Sequence, residues 1–171
     1  TAIKEFQSRN GLSADGLAGV QTYDLLYSPK AKESANKAKE ARSKANYTKM
    51  IEVARDQVGK PYVLGATGPG RFDCSGLVYY CLKQAGSNRR RLTAAGYSQV
   101  DDWEKITSMS KLKKGDLIFF YNNAFSKVGH VGIVISSGMM IDASSGNGKV
   151  MRRSYSTSYW KKQFVCGRRP W

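Results

Sequence analysis

Apolar residues follow different rhythms along the chain, and each change of rhythm marks a change of element. In residues 1–28, Ala2, Ile3, Phe6, Leu12, Leu17, Leu25 and Leu26 are broken by Asn10-Gly11 and Asp15-Gly16, which predicts a small unit of short helices and turns. Residues 29–46 carry Lys, Ala, Ser and Glu but no large apolar side chain. Alanine and lysine favour helix, yet nothing there can build a core, so a solvated linker with helical propensity is expected. Tyr47, Ile51, Ala54 and Val58 then recur at helical spacing, and Gly59 and Pro61 stop the run. After a glycine-rich loop (Gly65, Gly68, Gly70), Cys74, Leu77, Val78, Cys81 and Ala85 line one face of a second helix, with Asp73 as its N-cap and Gly86 at its end. Beyond Gly115 the period shortens. Residues 116–121, 130–136, 139–143, 149–153 and 164–167 read as short strands between Asn, Ser and Gly turns. Helices first and strands second predict an α+β fold with an antiparallel sheet.

At 171 residues the chain can bury one substantial core plus a small appendage. It has no apolar run long enough to cross a membrane, and its composition is that of a soluble globular protein. It begins with Thr1 rather than Met, so an upstream part is expected to have been removed; the missing secretory signal therefore carries no information about location. The net charge of +15 calls for a polyanionic partner: nucleic acid, an anionic membrane or an anionic wall polymer. The excess is clustered in Lys30, Lys32, Lys37, Lys39, Arg42, Lys44 and Lys49, in Arg89-Arg90-Arg91, in Lys111-Lys113-Lys114 and in Arg152-Arg153. Each cluster reads first as a solvated face, and no zinc-finger spacing or aromatic-interleaved RNA-binding stretch accompanies them. No cofactor and no metal site is expected, because one histidine and scattered cysteines make a poor ligand set. Cys74 and Cys81 lie seven apart on one helix, about 10 Å along its axis, too far to bridge. For Cys81 and Cys166 a bridge and two buried free thiols are both open, the free thiols being favoured.

The sharpest chemical signal is Cys74 at the start of its helix together with His130, the only histidine. A cysteine at the first turn of a helix meets the positive end of the helix dipole and unpaired backbone N–H groups, which favour thiolate over thiol. An imidazole brought beside it completes a thiolate–imidazolium nucleophile. The bland alternative makes Cys74 a small buried hydrophobe and His130 a satisfied core residue. Asp142 weighs against that. If Ser136-Ser137-Gly138 closes a hairpin with Gly138 in the left-handed conformation, residue 132 faces Asp142, and His130 becomes its diagonal neighbour on the same face. An aspartate interrupting an apolar strand is then explained as the group that orients the imidazole, rather than as an exposed edge residue.

Four blocks in order carry a resemblance: Gly59-Lys60-Pro61-Tyr62-Val63-Leu64-Gly65, Phe72-Asp73-Cys74-Ser75-Gly76-Leu77-Val78, Leu112 to Phe120 around Gly115-Asp116, and Gly129-His130-Val131-Gly132-Ile133-Val134. In order and spacing, residues 47–171 resemble the NlpC-type cell-wall cysteine endopeptidases. The resemblance implies a papain-like core, with the nucleophile helix packed on a sheet that carries the histidine. It implies hydrolysis of bacterial peptidoglycan stem peptides, typically between γ-D-glutamyl and a diamino acid. On this reading Cys74 matches the nucleophile, His130 the base, and Tyr62 a tyrosine that shapes the oxyanion site. Asp73 and Ser75 match residues that contact substrate, including a free amino group. The third catalytic position is commonly a second histidine in this family, and Asp142 stands there. The usual glycine pair after the tyrosine block is altered to Gly65-Ala66.

Thr1 to Leu12, with Phe6-Gln7, and then Ala14-Asp15-Gly16-Leu17-Ala18-Gly19 resemble the C-terminal half of a peptidoglycan-binding three-helix module. The expected organisation is therefore a partial module at 1–28, a basic linker at 29–46 and a catalytic domain at 47–171. The expected partners are bacterial peptidoglycan and anionic cell-wall polymers, not nucleic acid, and a secreted, wall-located monomer is expected. A cell-wall amidase with the same Cys/His chemistry and a non-catalytic wall-binding protein are the rival readings.

Overall fold

The computed structural model describes residues 1–171; of the side chains of Lys32 and Ser34, both within a helix, nothing is described, so Lys32 of the basic run lies outside the described residues. The chain divides into two compact units, Thr1–Ser43 and Lys44–Trp171.

The first unit contains helix α1 (Ala2–Arg9), helix α2 (Val20–Leu26) and the beginning of helix α3 (Pro29–Asp56). Thr1 caps α1 by accepting from the Lys4 amide. Its organising residue is Gln7, only 2% exposed. The Gln7 amide nitrogen donates to Asp15 Oδ1 (2.8 Å), the Leu17 carbonyl (2.9 Å) and Thr22 Oγ1 (3.2 Å), while its oxygen accepts from the Gly16 amide (2.9 Å). One buried amide thus ties the first helix to the Asp15-Gly16 turn and to α2, with its hydrogen-bonding capacity well used.

In the second unit the last turns of α3 bury Met50, Ile51, Val53 and Ala54. Val58, expected on this face, is 45% exposed because α3 ends at Asp56 and the helical period no longer aims it at the core. Helix α4 (Cys74–Gln84) begins at Asp73, whose carboxylate accepts from the Gly76 amide at 2.6 Å. It ends with Gly86 at φ +92°, where Gly86 N–H donates to Lys83 and Ser87 N–H to Leu82. A short helix α5 (Ala94–Ser98) follows, capped by Thr93.

All six strands pair antiparallel: β1 (Glu104–Ile106), β2 (Leu117–Tyr121), β3 (Val128–Ser136), β4 (Met139–Ser144), β5 (Lys149–Ser154) and, after helix α6 (Ser158–Gln163), β6 (Phe164–Arg169). Their spatial order is β1-β6-β2-β3-β4-β5. The expected α+β fold with an antiparallel sheet is therefore present, with β1, α5 and α6 as additional short elements. One face of the sheet packs Leu117, Phe119, Val131, Ile133 and Ile141 against Leu77, Val78 and Leu82 of α4 and Tyr97 of α5. The other packs Ile118, Phe120, Val134 and Met140 against Tyr155 and Trp160. Cover on both faces explains why residues 117–120 are apolar without a break. Cys81 and Cys166 are buried free thiols.

Candidate active site

The Tyr62 block and the start of α4 are sewn together by backbone bonds. Val63 N–H donates to the Phe72 carbonyl (2.9 Å), Asp73 N–H to Ala66 (2.9 Å) and Phe72 N–H to Pro61 (3.1 Å). Asp73 does more than cap the helix. One oxygen also accepts from the Gly65 amide (2.7 Å), the Ser75 hydroxyl reaches the other at 3.3 Å, and the Arg91 guanidinium meets both at 3.1 and 3.0 Å. Gly76 permits this closeness: a β-carbon there would lie 1.9 Å from the Ala66 oxygen. Asp73 and Ser75 are thus buried at the helix start with their polar groups engaged.

Cys74 is the first residue of α4 and is partly exposed, unlike Cys81 and Cys166. It opens on a cleft of about 560 Å³ also lined by Tyr62, Gly65, Asp73, Ser75 and Arg91. The Tyr62 phenol is held above its ordinary pKa, first by burial and then by the negative charges of Cys74 and Asp73, so it stays a proton donor.

His130 stands on β3 where the pairing slips. Phe120 faces His130 but Tyr121 faces Val128, so β3 carries one extra residue there. Bulges of this kind commonly re-aim a side chain beside a site. The imidazole stacks near Trp160 (centroids 5.6 Å apart) and Phe120 (6.2 Å). Its Nε2 lies 2.6 Å from Asp142 Oδ2, which leaves Nδ1 as the ring nitrogen available to Cys74, whose charge acts on the imidazole. Burial works against a charged imidazole, but hydrogen bonds and charge from Asp142 and Cys74 prevail and push its pKa up to about 9.

The hairpin register accounts for the pair. Ile133 faces Ile141, which sets Gly132 level with Asp142 and His130 two residues along; Gly138 adopts φ +75° as the turn requires. The Asp142 side chain is fully buried. Burial would raise its pKa, but hydrogen bonds from His130 and Arg153, with their charges, hold the carboxyl below its ordinary value. Chemically, a thiol, an imidazole and an ionised carboxylate in sequence can make a thiolate and hold the resulting imidazolium. Among the described residues no group of three His, Cys, Asp or Glu side chains could hold a metal ion.

Residues 59–169 match the NlpC/P60 family, and residues 1–26 match a putative peptidoglycan binding domain. The chain belongs to the NlpC/P60 family. It is 34% identical over 145 residues to murein DD-endopeptidase MepH of Escherichia coli K12, covering 82% of this chain and 53% of that protein. It is 31% identical over 175 residues to the probable peptidoglycan endopeptidase LytE of Bacillus subtilis, covering 99% of this chain and 50% of that one. The chain thus spans about half the length of these relatives. A crystal structure of an NLP/P60-family, lipoprotein-like protein from Staphylococcus aureus superposes with a TM-score of 0.61 at 31% identity, over 72% of this chain and 41% of that one.

Three residues of this candidate site are absent from the sequence-based expectation or misplaced by it. Arg91 and Arg153 read as parts of solvated basic clusters, yet Arg91 grips Asp73 and Arg153 grips Asp142. Arg89 is likewise engaged, with Asp102 and over the Trp103 ring. Arg90, Lys111, Lys113, Lys114 and Arg152 are exposed, as a solvated face requires. Trp160 sits in a six-residue helix too short for periodicity to reveal. A signal for Arg153 did exist: a carboxylate in an apolar strand needs a cation, and alternation along the next strand offers Arg153. No helix of the described residues is long and apolar enough to cross a membrane.

Proposed function

We propose that this chain is a cysteine endopeptidase acting on bacterial peptidoglycan stem peptides, cutting the bond between γ-D-glutamyl and the diamino acid. The observation that carries the reading is the 2.6 Å contact between His130 Nε2 and Asp142 Oδ2 beside a helix-N-terminal, partly exposed cysteine. Membership of the NlpC/P60 family and relatives named as endopeptidases supply the substrate class.

In this mechanism His130 takes the Cys74 proton, and the thiolate attacks the γ-glutamyl carbonyl carbon. Asp142 keeps the imidazole turned and stabilises it while charged. The Tyr62 hydroxyl donates to the oxyanion that forms. The imidazolium then gives its proton to the departing amine of the diamino acid, leaving a thioester on Cys74. Water, deprotonated by His130, hydrolyses that thioester and restores the thiol. Asp73 and Ser75 line the cleft, and their contact with a substrate amino group would be made alongside the bonds that already hold the helix start. Residues 1–26 and the exposed basic side chains hold the enzyme to the wall, the first by recognising peptidoglycan and the second by attracting anionic polymers; the protein works as a secreted, wall-located enzyme.

Digestion of purified sacculi followed by mass spectrometry of the soluble fragments tests the reading. Fragments ending in γ-D-glutamate are expected. Intact stem peptides freed from the glycan would mean an amidase, and sacculi left undigested would mean a binding protein.

A further inference from the structure

Asp142 is gripped from two sides. Met151 of β5 faces Asp142 and Arg153 faces Met140, so Arg153 is the diagonal neighbour of Asp142 on β5 as His130 is on β3. Arg153 Nε donates to Asp142 Oδ1 at 2.9 Å, and its terminal nitrogen donates to Oδ2, the oxygen that also faces His130. The guanidinium lies over the Trp160 ring, 4.7 Å from its centroid, and Trp160 is the same ring that stacks near His130. Arg153 is largely buried, with 23% of its side chain exposed, whereas Arg152 beside it is open to solvent.

We propose that Arg153 is a positioning residue of this site: its two-pronged grip holds the Asp142 carboxylate ionised and aimed at His130, and its positive charge keeps the imidazolium able to release its proton. This rests on the catalytic reading of Cys74, His130 and Asp142. A fully buried carboxylate with the imidazole alone would depend on the imidazole's charge for its own ionisation. Each loss of the imidazole proton would then strand the anion. The guanidinium removes that dependence, because it is charged throughout. The bidentate geometry also fixes the carboxylate plane, which a single-point donor does not.

The charged and titratable groups facing this cluster come from β3, β4, β5, α4 and the Tyr62 segment, with α6 packed beside them. Asp142 on β4 meets His130 from β3 and Arg153 from β5. His130 meets Asp142 and, from α4, Cys74. The Cys74 charge in turn faces Tyr62. From α6 the neighbour is Trp160, with Lys161 and Lys162 exposed beyond it. Removing one positive charge from such a cluster makes every proton in it harder to lose.

The test is the pH dependence of Cys74 alkylation by iodoacetamide, followed by peptide mass spectrometry in the full chain; Cys81 and Cys166 are 0% and 2% exposed and report separately. Wild type should show two inflections, thiolate formation and loss of the imidazolium proton. Arg153→Met should move both to higher pH, by about half a unit or more. In an Asp142→Asn background the same substitution should move them by clearly less, because only the direct effect of the lost charge remains and the part that runs through the Asp142 carboxylate is gone. Arg153→Lys should keep the inflections near wild type but lower kcat on a soluble stem peptide several-fold, since charge is kept and the two-pronged grip is lost. Unmoved inflections in Arg153→Met, equal shifts in the two backgrounds, or a wild-type kcat in Arg153→Lys would each overturn the proposal; the lysine variant carries the test if the methionine variant does not fold. Failure of the catalytic reading looks different: wall cleavage by Cys74→Ala, whatever the alkylation profiles of the Arg153 variants.

Discussion

His130 Nε2 and Asp142 Oδ2 lie 2.6 Å apart across the β3–β4 hairpin, and this one contact decides which ring nitrogen is free for chemistry. The imidazolium form is stabilised, with a pKa near 9 against 6.5 for a free side chain. The stability this lends the fold is fully present below pH 6.5 and is lost as pH rises through 9. In the proposed mechanism kcat should likewise fall as pH rises through about 9, because the leaving amine then has no proton donor. Asp142→Asn should move that basic limb to lower pH and reduce kcat more than it changes KM. A basic limb unchanged in the asparagine variant would separate Asp142 from the titration of His130.

Tyr62 keeps its proton beside the Cys74 and Asp73 charges, so its hydroxyl is available as a donor to a developing oxyanion. Tyr62→Phe should lower kcat by roughly 10- to 10³-fold, the range for losing one such donor, with KM little changed. A rate equal to wild type would leave the ring, and not the hydroxyl, as the useful part.

Gly76 lets the Ala66 carbonyl approach the start of α4. Gly76→Ala should cost about 1–3 kcal/mol through overpacking and should lower the thermal midpoint by several degrees. It should also lower kcat at temperatures where the variant is fully folded, because the displaced loop carries Tyr62 and Gly65. Retention of full kcat in the folded variant would show that the loop's position is not critical.

The elements that sequence predicts well are those whose periodicity is long and whose ends are marked. Helix α4 has both: apolar residues at helical spacing, Asp73 before it and Gly86 after it. The β3–β4 register is equally legible, because Gly138 sets the turn and period-two alternation propagates it to His130 and Asp142. Helices α5 and α6, at five and six residues, are shorter than two turns and leave no periodic trace. Arg153 and Arg91 escape for a different reason. A cluster of arginines looks the same in sequence whether each side chain points to water or to a buried carboxylate, and only the paired strand or loop decides.

Exposed lysines and arginines should draw the protein to anionic walls by screened attraction. The Debye length falls from about 10 Å at ~0.1 M salt to ~3 Å at ~1 M, so co-sedimentation with whole walls should weaken steeply across that range. Hydrolysis of a short soluble stem peptide should change far less, because its contacts lie inside the cleft. Wall binding indifferent to salt would assign the attachment to residues 1–26 alone.

The central claim is that the Cys74 thiol performs the hydrolysis with His130 as its base, and the most direct measurement compares sacculus digestion by wild type, Cys74→Ala, His130→Ala and wild type alkylated at Cys74. Thermal unfolding of each confirms that the fold is kept. Release of γ-D-glutamyl-terminated fragments by wild type alone is the predicted result, with turnover in the other three reduced to background. Appreciable turnover by folded Cys74→Ala would contradict the thiol mechanism.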